Sequence, residues 1–144
     1  MTDLKPLIHW FEHLTPDTLD QLPQFYAADA EFKDPFNEVR GLPAIRQIFT
    51  HMFRQVAEPR FVIVDRVVDD NGAVLVWEFH CRAKLGGGSE AQILRGASHL
   101  RFDADGKVIW HRDYWDAAEE LYAKLPVIGW LTRRLKKSLS AFRG

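Results

Sequence analysis

A single cysteine, Cys81, is all that this chain of 144 residues carries, so neither an internal disulfide framework nor a cysteine zinc cage can be built from it, and nothing points to an oxidising compartment. The cytoplasm is the expected location. Long apolar runs are missing as well: nothing approaches the roughly 18 uninterrupted apolar residues of a membrane span. The opening stretch MTDLKPLIHWFEHL carries Asp3, His9, Glu12 and His13 among its apolar residues, which the hydrophobic region of a signal peptide would not tolerate. Acidic residues give out early. None follows Glu120, while Lys124, Arg133, Arg134, Lys136, Lys137 and Arg143 give the tail +6; with −1 for the whole chain, the remainder stands near −7.

What is present suits one globular domain with a packed core, the usual outcome at roughly 100–150 residues. Aromatic residues make up 12% of the chain, enough that large rings must line something. Leu7, Trp10, Phe11 and Leu14 recur at helical spacing from Leu4 to Leu14. Thr15-Pro16-Asp17 then restarts a helix expected over Asp17 to Ala28, with Thr15 as its cap and Pro23 as its weak point. Ala30 to Lys33 reads as a short strand stopped by Asp34-Pro35, and NEVRG as a turn. Leu42 to Val56 is the cleanest amphipathic helix, with Ile45, Ile48, Phe49, Met52 and Phe53 on one stripe.

From Arg60 to Trp115 the pattern is that of strands. Asp69-Asp70-Asn71-Gly72 and Asp103-Ala104-Asp105-Gly106 are hairpin turns, and Leu85-Gly86-Gly87-Gly88-Ser89 is a looser connection, giving a four-strand antiparallel meander. Helices first and consecutive strands after define an α+β domain whose sheet buries one face on the helices. Alternation assigns that face: Leu75, Trp77, Phe79 and Cys81 inward, and Gly96, Ser98, Leu100 and Phe102 inward, against Arg95, His99 and Arg101. A domain over 1–118 is expected, followed by a basic amphipathic helical extension over 119–144 of the same domain.

The element order, with YAADAEFKDPFNEVRGLPAIRQIF at the front and HLRFDADGKVIWHRDYWD near the end, resembles the nuclear transport factor 2-like superfamily, in its SnoaL-like and ketosteroid isomerase-like branch. The resemblance spans roughly Leu4 to Ala118 and implies a cone-shaped roll of a curved antiparallel sheet on N-terminal helices, enclosing an apolar pocket. Asp34 falls where the isomerase keeps its general base, whereas the isomerase's oxyanion tyrosine and protonated aspartate fall on Trp10 and Ser98. Asp113 falls where the SnoaL-like polyketide cyclases place an aspartate on the last strand. His111, Asp113 and Trp115 share a face by alternation, and the resemblance makes it the pocket face.

The implied activity is an isomerase or cyclase acting on a hydrophobic carbonyl compound by proton transfer, without metal or redox cofactor. Such a reaction needs a base for a proton alpha to a carbonyl and a donor for the enolate. Asp34 and Asp113 are the candidate bases, and His111, Trp10 and Ser98 the candidate donors, with His111 for orientation or donation. Trp10, Tyr26, Trp77, Phe79, Ser98 and Trp115 are the candidate pocket lining. The implied partners are a hydrophobic small molecule and a second copy bound through the outer sheet face. Two rivals stand beside this reading: a non-catalytic module that binds a hydrophobic ligand or a protein, and an epoxide hydrolase, which would need an arginine, Arg112 or Arg46, between two aspartates.

Each candidate also has a structural reading. Asp34 can cap the turn that its own Asp-Pro starts; Asp113 can sit in an ion pair. The rings can be plain core. His9 and His13 have metal-ligand spacing on a helix but no acidic partner to complete a site. Gly86-Gly87-Gly88 lacks the helix and lysine of a phosphate loop, and Asp103 with Asp105 lacks the later glutamate of a calcium loop. In the tail, Leu121, Leu125, Ile128, Leu135, Leu139 and Phe142 follow helical spacing, interrupted at Pro126 and Gly129. It is expected to pack across the pocket mouth or on a dimer mate, with peripheral membrane contact as the second reading. Nucleic acid is not an expected partner, because the body is acidic and no interleaving of rings and cations is visible over the sheet.

Overall fold

A computed structural model describes residues 2–83, 91–116 and Glu119. The chain divides into two compact units, Met1–Tyr114 and Trp115–Gly144. The helical extension expected over 119–144 lies, apart from Glu119, outside the described residues.

Helix α1 (Lys5–Glu12) starts with Pro6 in its first turn, where a missing N–H costs nothing, and buries Leu7, Trp10 and Phe11. The helix expected over Asp17 to Ala28 is cut short. A 3-10 turn at Thr18–Gln21 leads into α2 (Leu22–Phe25), and the backbone is extended from Tyr26 onward. The cap falls on Asp17 rather than Thr15 and makes no side-chain bond; Thr15 instead closes the preceding turn, its Oγ1 accepting from Thr18 N at 3.1 Å and its own N–H donating to Thr18 Oγ1 at 2.8 Å. Pro23 does not kink a helix but opens one, in its first turn. Tyr26 to Lys33 then forms β1, twice the expected length, because pairing with β6 outweighs the helical preference of Ala27 and Ala28.

The NEVRG segment is not only a turn: Glu38–Arg40 is an edge strand, β2, pairing with Glu31–Lys33 and bridged by Arg40 to Glu31 at 2.6 Å. Gly41 precedes helix α3 (Leu42–Gln55) in the left-handed region, at φ 95°, which a side chain would resist. α3 buries Ile45 and Phe49, with Ile48, Met52 and Phe53 half-buried beside them, as its stripe requires. Strands β3 (Val56–Val68), β4 (Gly72–Ala83), β5 (Ala91–Phe102) and β6 (Val108–Tyr114) form the expected meander.

The six strands lie in the order β2-β1-β6-β5-β4-β3. The sheet is mixed rather than antiparallel throughout, since β1 runs parallel to β6, with Phe32 beside His111. A first strand reached through helices enters the far side of a meander in whichever sense the helices leave it, which no local pattern reveals. Register shifts interrupt β3 between Ala57 and Arg60 and between Ile63 and Asp65; such bulges bend a strand and curve the sheet. The helices cover the concave face, where Trp10, Phe11, Leu22, Tyr26, Phe32, Ile45, Phe49, Leu75, Leu100 and Val108 form the core.

Further along β4, Trp77, Phe79 and Cys81 are also buried on this face but stand outside that cluster. On the outer face Arg101 lies over the ring of Trp110, Arg112 over that of Tyr114, and His99 meets Trp110 edge-on. Rings and cations therefore do interleave there, contrary to the linear reading, because Arg101 and Trp110 become neighbours only through the β5–β6 register. His80 bonds Glu78 on the same face at 3.0 Å, a pairing of the structural kind.

Candidate functional site

On β6 alternation carries His111 and Asp113 to the concave face, and the neighbouring registers bring Leu100 and Ser98 opposite them on β5. From β4, Trp77 reaches Ser98; from the start of β1, Tyr26 reaches His111. The result is one chain of hydrogen bonds across four strands. Trp77 Nε1–H donates to Ser98 Oγ at 2.9 Å, and Ser98 O–H donates to Asp113 Oδ1 at 2.5 Å. His111 Nε2 meets the same Oδ1 at 2.6 Å, and the Tyr26 hydroxyl meets His111 Nδ1 at 2.5 Å. Five of the nine expected site residues are thus joined in a single network.

Burial is uneven along it. Tyr26 and His111 are 1% and 3% exposed, whereas the Asp113 side chain keeps about a fifth of its surface, at 20%. The hydroxyl of Tyr26 is held well above its ordinary pKa of 10.0, first by burial and then by the negative charge of Asp113, so it remains a proton donor. Both donors grip Oδ1. Oδ2 has no hydrogen-bond partner in the described residues, and no buried side-chain N or O atom among those residues lacks a partner, so Oδ2 reaches solvent. One oxygen is fixed and the other is free, the arrangement that a positioned proton acceptor requires.

Asp34 is placed differently. It follows Lys33, which lies beside Arg112 on β6, so its backbone is close to the network. Its carboxylate, however, closes its own turn: Oδ1 accepts from Phe36 N at 2.8 Å, Asn37 N at 2.6 Å and Asn37 Nδ2 at 3.1 Å, and Oδ2 from Asn37 Nδ2 at 3.2 Å. Both oxygens are occupied by the turn chemistry that Asp-Pro offers by itself. Trp10 is also used structurally. Its Nε1–H donates to Thr18 O at 2.9 Å, and its ring packs against Phe11, Phe25, Tyr26 and Phe49 in the core. Tyr26 is a core residue that holds His111 rather than an exposed lining ring. Trp115 is half-buried and opens the second unit.

The aromatic wall beyond the network consists of Trp77 and Phe79 with Phe61, whose ring lies 5.6 Å and 4.6 Å from theirs. Phe61 escapes a sequence reading that weighs β3 only as β-branched; its register with Phe79 was the signal available. Phe32 and Phe11, against the His111 ring at 4.7 Å and 6.2 Å, were hidden in the same way. Neither arginine proposed for a hydrolase joins the aspartates: Arg46 pairs with Asp20 at 2.6 Å, and Arg112 faces outward over Tyr114. Among the described residues no group of three or more metal-ligating side chains is gathered, and His9 and His13 are stacked on each other at the surface. No described helix is long and apolar enough to cross a membrane. A cleft of about 600 Å³ lies elsewhere, between the two hairpin turns and the start of α1, and no network residue lines it.

The family model of the SnoaL-like domain matches residues 7–111. Among curated proteins none matches the chain in sequence. Solved structures match the fold. A hypothetical protein of ketosteroid isomerase-like fold from Catenulispora acidiphila, solved in complex with trimethylamine, superposes with a TM-score of 0.69 at 16% identity, over 83% of this chain and 92% of that one. A candidate SnoaL-like polyketide cyclase from Jannaschia sp. gives 0.67 at 14% identity, over 78% and 84%. AclR, a candidate hydroxylase from Streptomyces galilaeus, gives 0.66 at 16% identity, over 83% and 92%. Identities this low carry the fold and not the chemistry.

Proposed function

The chain belongs to the SnoaL-like domain family, and from that premise we propose that it is a small-molecule isomerase or cyclase that moves a proton on a hydrophobic carbonyl compound, with Asp113 as the base. The observation that carries this reading is the asymmetry of the Asp113 carboxylate: Oδ1 held by Ser98 and His111, Oδ2 unpartnered at the accessible end of a buried network. Oδ2 would take the proton alpha to the carbonyl and leave the electron pair on the substrate as an enolate. The same oxygen would then return the proton at another carbon, or the enolate would close a ring on a second carbonyl, whose carbonyl π pair moves to its oxygen and takes that proton. Trp77, Phe79 and Phe61 supply an apolar wall on which such a substrate can lie.

The donors expected for the enolate are all committed among the described residues: Trp10 to Thr18 O, Ser98 and His111 to Asp113. This favours a carbon acid whose enolate is delocalised within the substrate itself, since little stabilisation is offered by those groups. It also separates this site from a steroid isomerase with two acidic donors. Asp34 is assigned to the turn.

The test is a comparison of Asp113→Asn with Asp34→Asn across a library of activated carbonyl compounds, starting from any small molecule that copurifies with the protein. Asp113→Asn should lower turnover by about 10²–10⁴-fold, the usual worth of a positioned base, and Asp34→Asn should leave most of it. The opposite ranking would reassign the base. Copurification of a hydrophobic molecule without turnover would favour the ligand-binding module instead.

A further inference from the structure

His111 is buried with both ring nitrogens engaged, so the protons on it can be counted. The Tyr26 hydroxyl has no partner in the described residues other than Nδ1, and on the opposite side Asp113 Oδ1, a carboxylate oxygen, can only accept. The other described neighbours of the ring are apolar: Phe11 from α1, Phe32 beside it on β1, and Leu100 opposite on β5. Among the described residues Tyr26 and Asp113 are thus the only titratable groups facing it.

Three proton arrangements can be written. In the neutral Nε2–H form, Tyr26 O–H donates to bare Nδ1 and Nε2–H donates to Asp113, so every donor has an acceptor. In the imidazolium form, Nδ1–H must use the Tyr26 oxygen as its acceptor, and the Tyr26 proton is then left with no acceptor in a fully buried position, a cost the neutral form avoids. In the Nδ1–H form a bare Nε2 faces the carboxylate, lone pair against lone pair. Only the first satisfies the whole chain.

We propose that Tyr26 is a positioning residue whose hydroxyl locks His111 as the neutral Nε2–H imidazole, so that the imidazole grips Asp113 Oδ1 and leaves Oδ2 as the proton acceptor of the site. The order of the Ser-His-Asp triad, in which a carboxylate stands behind a reacting imidazole, is reversed here: the imidazole stands behind a reacting carboxylate. His111 cannot serve as the base, because Nε2 already carries a proton and Nδ1 is filled by Tyr26. A substrate proton moves to Asp113 Oδ2 and back from it, and none passes through the ring. The raised pKa of Tyr26 agrees, since it keeps the hydroxyl a donor.

This deepens the reading of Asp113 as base, but its test needs no substrate. In the full chain labelled with ¹⁵N-histidine, His111 should show one protonated nitrogen, Nε2, and one bare nitrogen, Nδ1, at neutral pH. In Tyr26→Phe the resonance of the bare Nδ1 should move, because no hydroxyl then donates to it. A protonated Nδ1 in the wild type at neutral pH, or a Tyr26→Phe spectrum identical to the wild type, would overturn the proposal. Should Tyr26→Phe not fold, 3-fluorotyrosine incorporation decides: a hydroxyl that donates more strongly must move the Nδ1 resonance of His111 and leave Nε2 protonated, and an unmoved Nδ1 refutes the lock. An inactive protein with the expected spectrum would sink the enzymatic reading and leave the lock standing.

Discussion

Replacing Ser98 by alanine should remove one hydrogen bond and strand a second donor. The bond lost is Ser98 O–H to Asp113 Oδ1, at 2.5 Å; bonds to charged groups contribute about 1.5–3 kcal/mol, and the partial exposure of Asp113 places this one toward the lower end. The group stranded is Trp77 Nε1–H, which reaches Ser98 Oγ at 2.9 Å from a residue only 6% exposed. A buried donor without an acceptor costs about 1–3 kcal/mol, so the two effects together amount to roughly 2–5 kcal/mol. With a urea m-value near 2 kcal/mol per M, the denaturation midpoint should fall by on the order of 1–2 M. In a Trp77→Phe background the indole N–H is already gone, and Ser98→Ala should cost about 1–3 kcal/mol less than in the wild type. An equal cost in both backgrounds would refute the argument, because the two residues would then not depend on each other.

Gly72 should not tolerate a side chain: a Cβ there would stand 2.1 Å from the backbone oxygen of Leu100, so Gly72→Ala should lose roughly 3 kcal/mol in thermal denaturation. Gly106→Ala, strained only by its φ of 80°, should lose about 1–2 kcal/mol and so rank second. Tyr26 is protonated in the folded protein beyond the pH at which the unfolded chain ionises, near 10.0. Its contribution is therefore complete below that pH and fades above it, by about 1.4 kcal/mol per unit until the folded pKa is reached. The wild type should lose stability through that alkaline window relative to Tyr26→Phe, and parallel curves would show the shift to be absent. A homodimer through the outer face would cover Val64, Val67, Ile109 and Tyr114, which are 54%, 62%, 38% and 49% exposed. Sedimentation velocity should give a dimer that Val64→Lys and Tyr114→Lys return to monomer, and a monomeric wild type would remove the second copy as partner.

Patterns that repeat along the chain are legible in the sequence alone. The stripe of α3, the alternation of β4 and the two Asp-rich hairpins each depend on neighbours within a few residues, and each stands where its pattern puts it. The second helix and the NEVRG turn depart from their local patterns for one reason. Tyr26 and Glu38 have no local cause to be extended; they become strands because β6 and β1 offer them partners distant in sequence. The site divides in the same way. Alternation sets His111 and Asp113 on one face, but it says nothing of which oxygen is free.

The sequence by itself determined the fold class, the inward faces and a short roster that holds every member of the polar network, because hydrophobic period and residue chemistry are local properties. Only the tertiary structure decided which of those residues act together. Asp34 and Asp113 are equal as letters, each a carboxylate near a strand end. The turn at Asn37 occupies both oxygens of the first, while Ser98 and His111 hold one oxygen of the second and leave the other open. Hydrogen-bond partners are assigned by register across the sheet, and register is a property of the folded whole.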